Sequence, residues 1–230
     1  MNNYLQADVD SALESSRFMT KVYNWMIFAL VISGWIAYYV GTNPEIFKLI
    51  VSSWMFFGLI ILEFVLVIAI SWGINKISAN TAIALFIIYS AVNWLTLSVI
   101  FMAYQIPAIV NAFLISAGTF WFMSFYWYTT KSDLTTFWTI MIMWLFWIIL
   151  ASIVNFFLGS SMVNYVISWI WVLVFTWLTA YDTQKIKEMN IIWNEWTDED
   201  KKEAIMWALT LYLDFINLFL FILRLFGSRD

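Results

Sequence analysis

Residues 208–220 have the sequence ALTLYLDFINLFL, an almost continuous apolar segment that contains one carboxylate, Asp214. A second segment, residues 177–184, is WLTAYDTQ and carries Asp182 in a similar setting. Placing a carboxylate in hydrocarbon costs about 3 kcal/mol or more, so an acid in such a segment is a candidate functional residue. Two of them, near the ends of the last two apolar segments, predict one shared site for a proton or a cation.

The composition predicts an all-α integral membrane protein. Of the 230 residues, 63% are hydrophobic and 11% are charged, whereas about 25% of the residues of a soluble domain are charged. A soluble core of this size could not bury so much apolar surface. We therefore expect the lipid bilayer as the main partner and no nucleic acid.

The chain has no cysteine and no histidine. Disulfides, thiolate metal sites and the usual zinc ligand are therefore excluded, and so is the side chain that most often titrates near neutral pH. Any sensing of pH has to rely on carboxylates. No cofactor is expected, and the sequence does not identify a protein partner.

Seven apolar segments are long enough to cross a bilayer, at about 20 residues per crossing. They cover residues 22–40, 49–72, 79–103, 108–128, 134–158, 162–183 and 204–226. Most connections are short, so we predict a cytoplasmic N-terminal segment, residues 1–21, and one seven-helix transmembrane domain, residues 22–230. The charged stretch 185–203 is either a solvated loop with a helix cap or a vestibule that attracts cations.

Lysine and arginine counts predict the orientation of the chain. Eight of these residues lie on the N-terminal side of the predicted spans and three on the other side. Because basic residues are enriched in cytoplasmic loops, we expect the N-terminus in the cytoplasm and Asp182 near the cytoplasmic end of the sixth span.

The candidate site lies between the sixth and seventh spans. Helical spacing places Thr210, Asp214 and Asn217 along one stripe of the seventh span, and Tyr181 lies beside Asp182 in the sixth. Consecutive spans are antiparallel, so the two aspartates can approach if the sixth helix continues past residue 183. Two close carboxyls hold a single proton, and they also offer oxygen ligands to a hard cation such as calcium. The alternative is a carboxyl that only fixes helix packing through a hydrogen bond.

Glu63 is a third acid within an apolar segment, near the middle of the second span. It could continue an ion path from the aspartates, or it could bond to a neighbouring helix. The sequence leaves both alternatives open.

Several motifs resemble those of the bacterial branch of the Bax inhibitor family, also called the transmembrane Bax inhibitor motif family. They are residues 74–82 (INKISANTA), 89–101 (YSAVNWLTLSVIF), 125–134 (FYWYTTKSDL), 178–184 (LTAYDTQ) and 208–227 (ALTLYLDFINLFLFILRLFG). The resemblance implies a seven-helix fold in the bacterial cytoplasmic (inner) membrane, with the seventh helix central in the bundle. It also implies a calcium leak gated by two aspartates, which correspond to Asp182 and Asp214. Glu63 matches an acidic position of the family, whereas Lys76 is the nearest basic residue to a position where some members carry arginine.

The tryptophan content departs from this pattern. The chain has 16 tryptophans and seven glycines, although glycine is usually frequent in membrane helices. Seven tryptophans lie well inside the predicted spans: Trp94, Trp121, Trp144, Trp147, Trp171, Trp177 and Trp207. We hypothesise codon reassignment, in which the source organism reads UGA as glycine, because indoles there would overpack the bundle and separate the sixth and seventh helices. The alternative is a bundle that is truly filled with aromatic side chains.

These observations favour a pH-sensitive calcium leak channel gated by a proton-sharing aspartate pair, with calcium as the permeant ion and no enzymatic activity. One alternative is a non-conducting membrane protein that regulates a partner. Another is an intramembrane aspartyl protease, whose Tyr-Asp motif Tyr181-Asp182 fits. The protease's second motif, Gly-x-Gly-Asp, does not fit, because this chain has Leu211 and Leu213 before Asp214.

Overall fold

A computed structural model describes residues 2–51, 54–130, 135–189 and 197–227, and it describes side chains for 13–51, 54–130, 141–188 and 197–227. Every regular element in these ranges is helical. The helices are α1 (Asn2–Gly41), α2 (Pro44–Val51), α3 (Trp54–Gly73), α4 (Ala79–Leu97), α5 (Ile100–Ala103), α6 (Ile106–Thr129), α7 (Thr135–Leu158), α8 (Ser161–Met189) and α9 (Asp198–Phe226). A short 3₁₀ turn, Ile74–Lys76, follows α3.

Seven helical segments of the described chain are long and apolar enough to cross a membrane, which confirms the predicted number. They are Leu13–Gly41, Met55–Lys76, Ala79–Ala103, Ile106–Thr129, Met141–Leu158, Ser161–Glu188 and Asp198–Phe226. The sixth and seventh predicted spans are therefore α8 and α9. Lys131 and Asp133, in the predicted turn before the fifth span, lie outside the described residues.

The predicted boundaries are wrong at the start of the first two spans. Helix α1 begins at Asn2, because no glycine or proline interrupts the chain before Gly34. The predicted boundary after residue 21 is thus not marked by a helix break, and the division there stays a prediction. Residues 44–51 form the separate helix α2, which has Pro44 at its first position, Glu45 in its first turn and Lys48 in its last. All three favour a short independent helix.

Both helices of the candidate site are longer than predicted. Helix α8 continues to Met189, so it remains helical past residue 183, and α9 begins at Asp198. The first turn of α9 contains three acids, Asp198, Glu199 and Asp200, which stabilise the positive end of a helix. The charged sequence that was predicted as a loop is therefore partly helical.

The chain divides into two compact units. The first comprises residues 1–103 and 189–212, and the second comprises residues 104–188 and 213–230. Helix α9 contributes its first half to the first unit and its second half to the second. Of the seven candidate spans, α9 has the largest buried share, 67%, whereas its central place in a bundle stays a prediction.

In the first unit, the start of α9 is tied to α1 and α4. Lys21 forms an ion pair with the buried Asp200, with 2.8 Å between Nζ and Oδ2. The backbone N–H of Ala79 donates to Asp198 Oδ2 at 3.2 Å, and Ser78 caps α4 by accepting from the N–H of Thr81. Asp198 and Asp200 thus have structural partners, which supports the helix-cap interpretation of this charged segment.

Candidate functional site

In the second unit, α8 and the last part of α9 pack against each other in antiparallel directions. Near the start of α8, Arg224 Nη2 donates to Asn164 Oδ1 at 2.8 Å. Further along α8, the ring of Trp171 stacks on Phe221 with centroids 5.4 Å apart. Residues further along α8 thus contact residues nearer the start of α9. Extended along both helices, this register brings Asp182 to the level of Asp214.

The carboxyl groups of Asp182 and Asp214 lie close enough for each to act electrostatically on the other. Asp214 is 6% exposed, and its Oδ2 has no hydrogen-bond partner among the described residues. A carboxylate oxygen only accepts hydrogen bonds, so a bond between two carboxyls requires one proton. The electrostatic interaction agrees with the predicted approach of the two aspartates, and their role as one shared site stays a prediction.

The chain around Asp182 packs closely because small side chains point inward. Thr179, Ala180 and Thr183 of α8 are fully buried, and such residues let membrane helices approach one another. The hydroxyl of Thr183 bonds to Ser124 of α6 at 3.3 Å and to the carbonyl of Thr179 at 2.7 Å. Helix α6 therefore fixes the face of α8 next to the aspartate.

Lys185 is the cation that acts electrostatically on Asp182. It lies one turn later on α8, and its Nζ is 5.6 Å from the ring centroid of Tyr181. The pair thus consists of two acids from α8 and α9 with one lysine beside it on the cytoplasmic side of the predicted orientation.

The other residues proposed for the site have separate partners. Tyr181 is buried and packs with Ala180 in a small apolar cluster. The hydroxyl of Thr210 donates to the carbonyl of Met206, and the amide of Asn217 donates to the carbonyl of Leu213. Thr210 and Asn217 therefore bond within their own helix, and neither hydrogen bond reaches an aspartate.

The first unit contains a second buried polar cluster, which we call the Glu63 network. Glu63 accepts from Asn93 Nδ2 at 3.1 Å and from the hydroxyl of Thr96 at 2.5 Å. Asn93 Oδ1 accepts from the hydroxyl of Tyr212 at 3.3 Å, and that hydroxyl lies 2.9 Å from Ser33 Oγ. The network therefore joins α3, α4, α9 and α1.

Of the two alternatives for Glu63, bonding to a neighbouring helix is present in the structure. The predicted site residues did not include its partners Asn93 and Thr96, nor Tyr212 and Ser33, which extend the network. The motif at 89–101 nevertheless contained a signal, because Ser90, Asn93 and Thr96 recur every three residues in an apolar span. That spacing places polar groups on one helix face, where each has to find a partner.

The two aspartates alone supply few ligands for calcium, which takes six to eight oxygens. Within the described part of the chain, no group of three or more acidic, histidine or cysteine side chains could hold a metal ion.

The tryptophans within the spans fall into two groups. Trp121, Trp144 and Trp147 are 69%, 52% and 62% exposed and so do not overpack the interior. Trp94 and Trp207 are buried, and Trp177 packs against Tyr181. Codon reassignment at these positions, and the expectation that indoles there would separate the two helices, stay predictions.

Comparison with known proteins agrees with this architecture. The family model described as inhibitor of apoptosis-promoting Bax1 matches residues 15–230. An uncharacterized protein of Borreliella burgdorferi is 46% identical over 226 residues, which are 98% of this chain and 97% of that protein. The inner membrane protein YbhL of Escherichia coli K12 is 45% identical over 214 residues, 92% of each chain. A protein of Rickettsia prowazekii, RP147, is 39% identical over 215 residues, 93% of this chain and 90% of that protein.

These relatives and the seven apolar helices place the chain as a multi-pass protein of the inner membrane. The orientation of its N-terminus stays a prediction. The match over residues 15–230 and the identity across nearly the whole of each relative establish that the chain belongs to the Bax inhibitor family.

Proposed function

We propose that the protein is a pH-sensitive calcium leak channel of the inner membrane, gated by the Asp182–Asp214 pair. The observation that supports the proposal is that these two carboxyls, one from α8 and one from α9, lie close enough to act electrostatically on each other. The resemblance to the Bax inhibitor family favours calcium, and the hard oxygen ligands of the pair favour it on chemical grounds.

The proposed gate depends on competition between a proton and a cation. At acidic pH the pair holds its proton, and the hydrogen bond keeps α8 and α9 together. At higher pH the proton leaves, and two carboxylates remain that repel each other and attract cations. Calcium flux should therefore rise as the pH increases.

The proposal can be tested with purified protein in liposomes that contain a calcium-sensitive dye. Calcium influx would be measured from pH 5 to pH 8 for the parent protein and for Asp182→Asn and Asp214→Asn. We expect the parent flux to rise with pH and both variants to lose that dependence. Each variant has an amide in place of one carboxyl, and two carboxyls are needed to share one proton.

Glu63→Gln provides the matched control, since it neutralises another carboxylate within a span but belongs to the Glu63 network. It should keep the pH dependence of the parent protein. If both aspartate variants titrate like the parent, the pair is not the sensor. If the purified parent carries no calcium at any pH, the non-conducting regulatory alternative replaces the channel.

The enzymatic alternative has weaker support. An intramembrane aspartyl protease needs flexible glycines before its second aspartate, and this chain has Leu211 and Leu213 there. Codon reassignment would change only tryptophan positions, so both leucines would remain. We therefore propose a function without catalysis.

A further inference from the structure

The second unit contains a cavity of about 450 Å³ at the end of α8 that is opposite to the aspartate pair. Its walls come from the last part of α7, the first part of α8 and the last part of α9. The polar side chains that line it are Ser152, Asn155, Asn164, Trp171 and Arg224. Asn164 lies about 27 Å along α8 from Asp182, at 1.5 Å per residue, so the cavity is separate from the proposed gate.

Arg224 gives the cavity a positive charge in a fixed position. Its Nη2 donates to Asn164 Oδ1 at 2.8 Å, which uses one of the five N–H groups of a guanidinium. Among the described residues no carboxylate forms an ion pair with Arg224, and no acid lines the cavity. Helix α8 also begins beside the cavity, and the start of a helix favours an anion.

Asn155 supplies a buried acceptor on another wall. It is 2% exposed, and its Nδ2 donates to the carbonyl of Ser160 at 3.2 Å. Its Oδ1 is buried and has no hydrogen-bond partner among the described residues. A buried acceptor without a hydrogen bond is unfavourable, so a ligand that carries a hydroxyl would stabilise this site by donating to it.

The rim of the cavity is apolar and exposed. Phe156 lines the cavity and is 84% exposed, and its neighbour Phe157 is 81% exposed. Met162, at the start of α8, is 78% exposed. In a membrane protein such side chains contact acyl chains, which favours a lipid over a soluble anion as the occupant.

We infer that this cavity binds the headgroup of an anionic glycerophospholipid. The phosphodiester accepts hydrogen bonds from the Arg224 guanidinium, a headgroup hydroxyl donates to Asn155 Oδ1, and the acyl chains lie against Phe156 and Phe157. Bidentate contacts to phosphate are the interaction for which a guanidinium is best suited. This inference is independent of ion conduction.

Native mass spectrometry of the full chain in detergent can test the inference. The probes are phosphatidylglycerol, which has the phosphodiester and free hydroxyls, and phosphatidylcholine, which has the phosphodiester but no donor. We expect the parent protein to retain phosphatidylglycerol at least about tenfold more tightly than phosphatidylcholine, a difference of about 1.4 kcal/mol.

Substitutions at two positions, Arg224 and Asn155, test the phosphate contact and the hydroxyl contact separately. Arg224→Gln should weaken the retention of phosphatidylglycerol about tenfold, whereas Arg224→Lys should retain part of it because the charge remains. Asn155→Ser should reduce the preference for phosphatidylglycerol over phosphatidylcholine without abolishing phosphate binding. Lys48→Gln is the matched control, because it removes one exposed basic charge on the same side of the predicted topology, and it should have no effect.

Equal retention of both lipids by the parent protein would overturn the inference, and so would unchanged retention by Arg224→Gln. Free glycerophosphoglycerol would be added as a competitor. If it displaces the lipid at equal concentration, the acyl chains contribute nothing and the assignment to a lipid is wrong.

Discussion

The Glu63 network and the aspartate pair are both buried clusters built around carboxyls, but they satisfy those carboxyls in different ways. Glu63 is bonded by the neutral donors of Asn93 and Thr96, so its hydrogen bonds do not require a proton on the acid. Asp214 and Asp182 act on each other electrostatically, and the proposed function gives this pair one shared proton. The first cluster is therefore suited to fixing helices, and the second, under that proposal, is suited to responding to pH.

The largest expected effect is the response of the aspartate pair to alkaline pH. Under the proposed function the folded protein holds a shared proton that the unfolded chain does not hold at neutral pH, so we expect stability to fall as the pH rises and the proton is lost. Two carboxylates about 4 Å apart repel each other by about 4 kcal/mol at an effective dielectric constant of 20. The midpoint of thermal unfolding in detergent should drop by several degrees between pH 6 and pH 9.

In Asp214→Asn this drop should disappear, because only one acid remains. An identical drop in Asp214→Asn and in the parent protein would show that the pair is not the cause.

A somewhat smaller effect is expected for Glu63→Ala. This change leaves Asn93 Nδ2 and the hydroxyl of Thr96 without their acceptor, which should reduce the free energy of unfolding by about 3 kcal/mol. Thermal unfolding at pH 6 measures the loss. The pH dependence of stability should stay that of the parent protein, and a change in it would mean that the two clusters do not act separately.

Tyr212→Phe should destabilise the protein by about 1 kcal/mol, because it removes one hydroxyl from the Glu63 network. The ring itself, which packs edge-on against Phe86 and Tyr89, is retained. Thermal unfolding of this variant can be compared with that of Tyr89→Phe. The hydroxyl that Tyr89→Phe removes has no hydrogen bond to the described residues of the network. A larger loss for Tyr89→Phe would contradict the assigned role of Tyr212.

The smallest effect is expected from glycine at the tryptophan positions. Removing a packed tryptophan usually costs about 3–5 kcal/mol, but if codon reassignment is correct, glycine is native and Trp207→Gly should cost less than about 1 kcal/mol. The scarcity of glycine motivates this hypothesis. Mass spectrometry of peptides covering residues 177 and 207 from the native organism decides it, and tryptophan at both positions would end it.

The sequence predicted the number of spans correctly, and it singled out Asp182 and Asp214, because both results depend on strong local signals. An apolar run of about 20 residues has few alternatives to a membrane helix, and an acid within such a run demands a partner. Antiparallel neighbours then bring Asp182 and Asp214 to one level. The helix termini were less predictable, since the polar residues at the start of α1 and α9 are as compatible with helix as with loop.

The partners within the Glu63 network could not be predicted, because they depend on which faces of α1, α3, α4 and α9 meet. Ser33 and Tyr212 are 179 residues apart in the chain, and neither is unusual for a membrane span. The exposure of Trp121, Trp144 and Trp147 could not be predicted for the same reason, because it also depends on which helix faces meet. A span has no polar face that marks the lipid side, so periodicity does not separate outward-facing from inward-facing tryptophans.

Under the proposed function, the sharing of a single proton by two carboxyls also limits how sharply the gate can respond to pH. A one-proton equilibrium passes from about 10% to about 90% over roughly two pH units, whatever its midpoint. Steeper behaviour would need several protons that are released together. In a cell, the proposed gate would therefore produce a leak that changes gradually with the internal pH and has no sharp threshold.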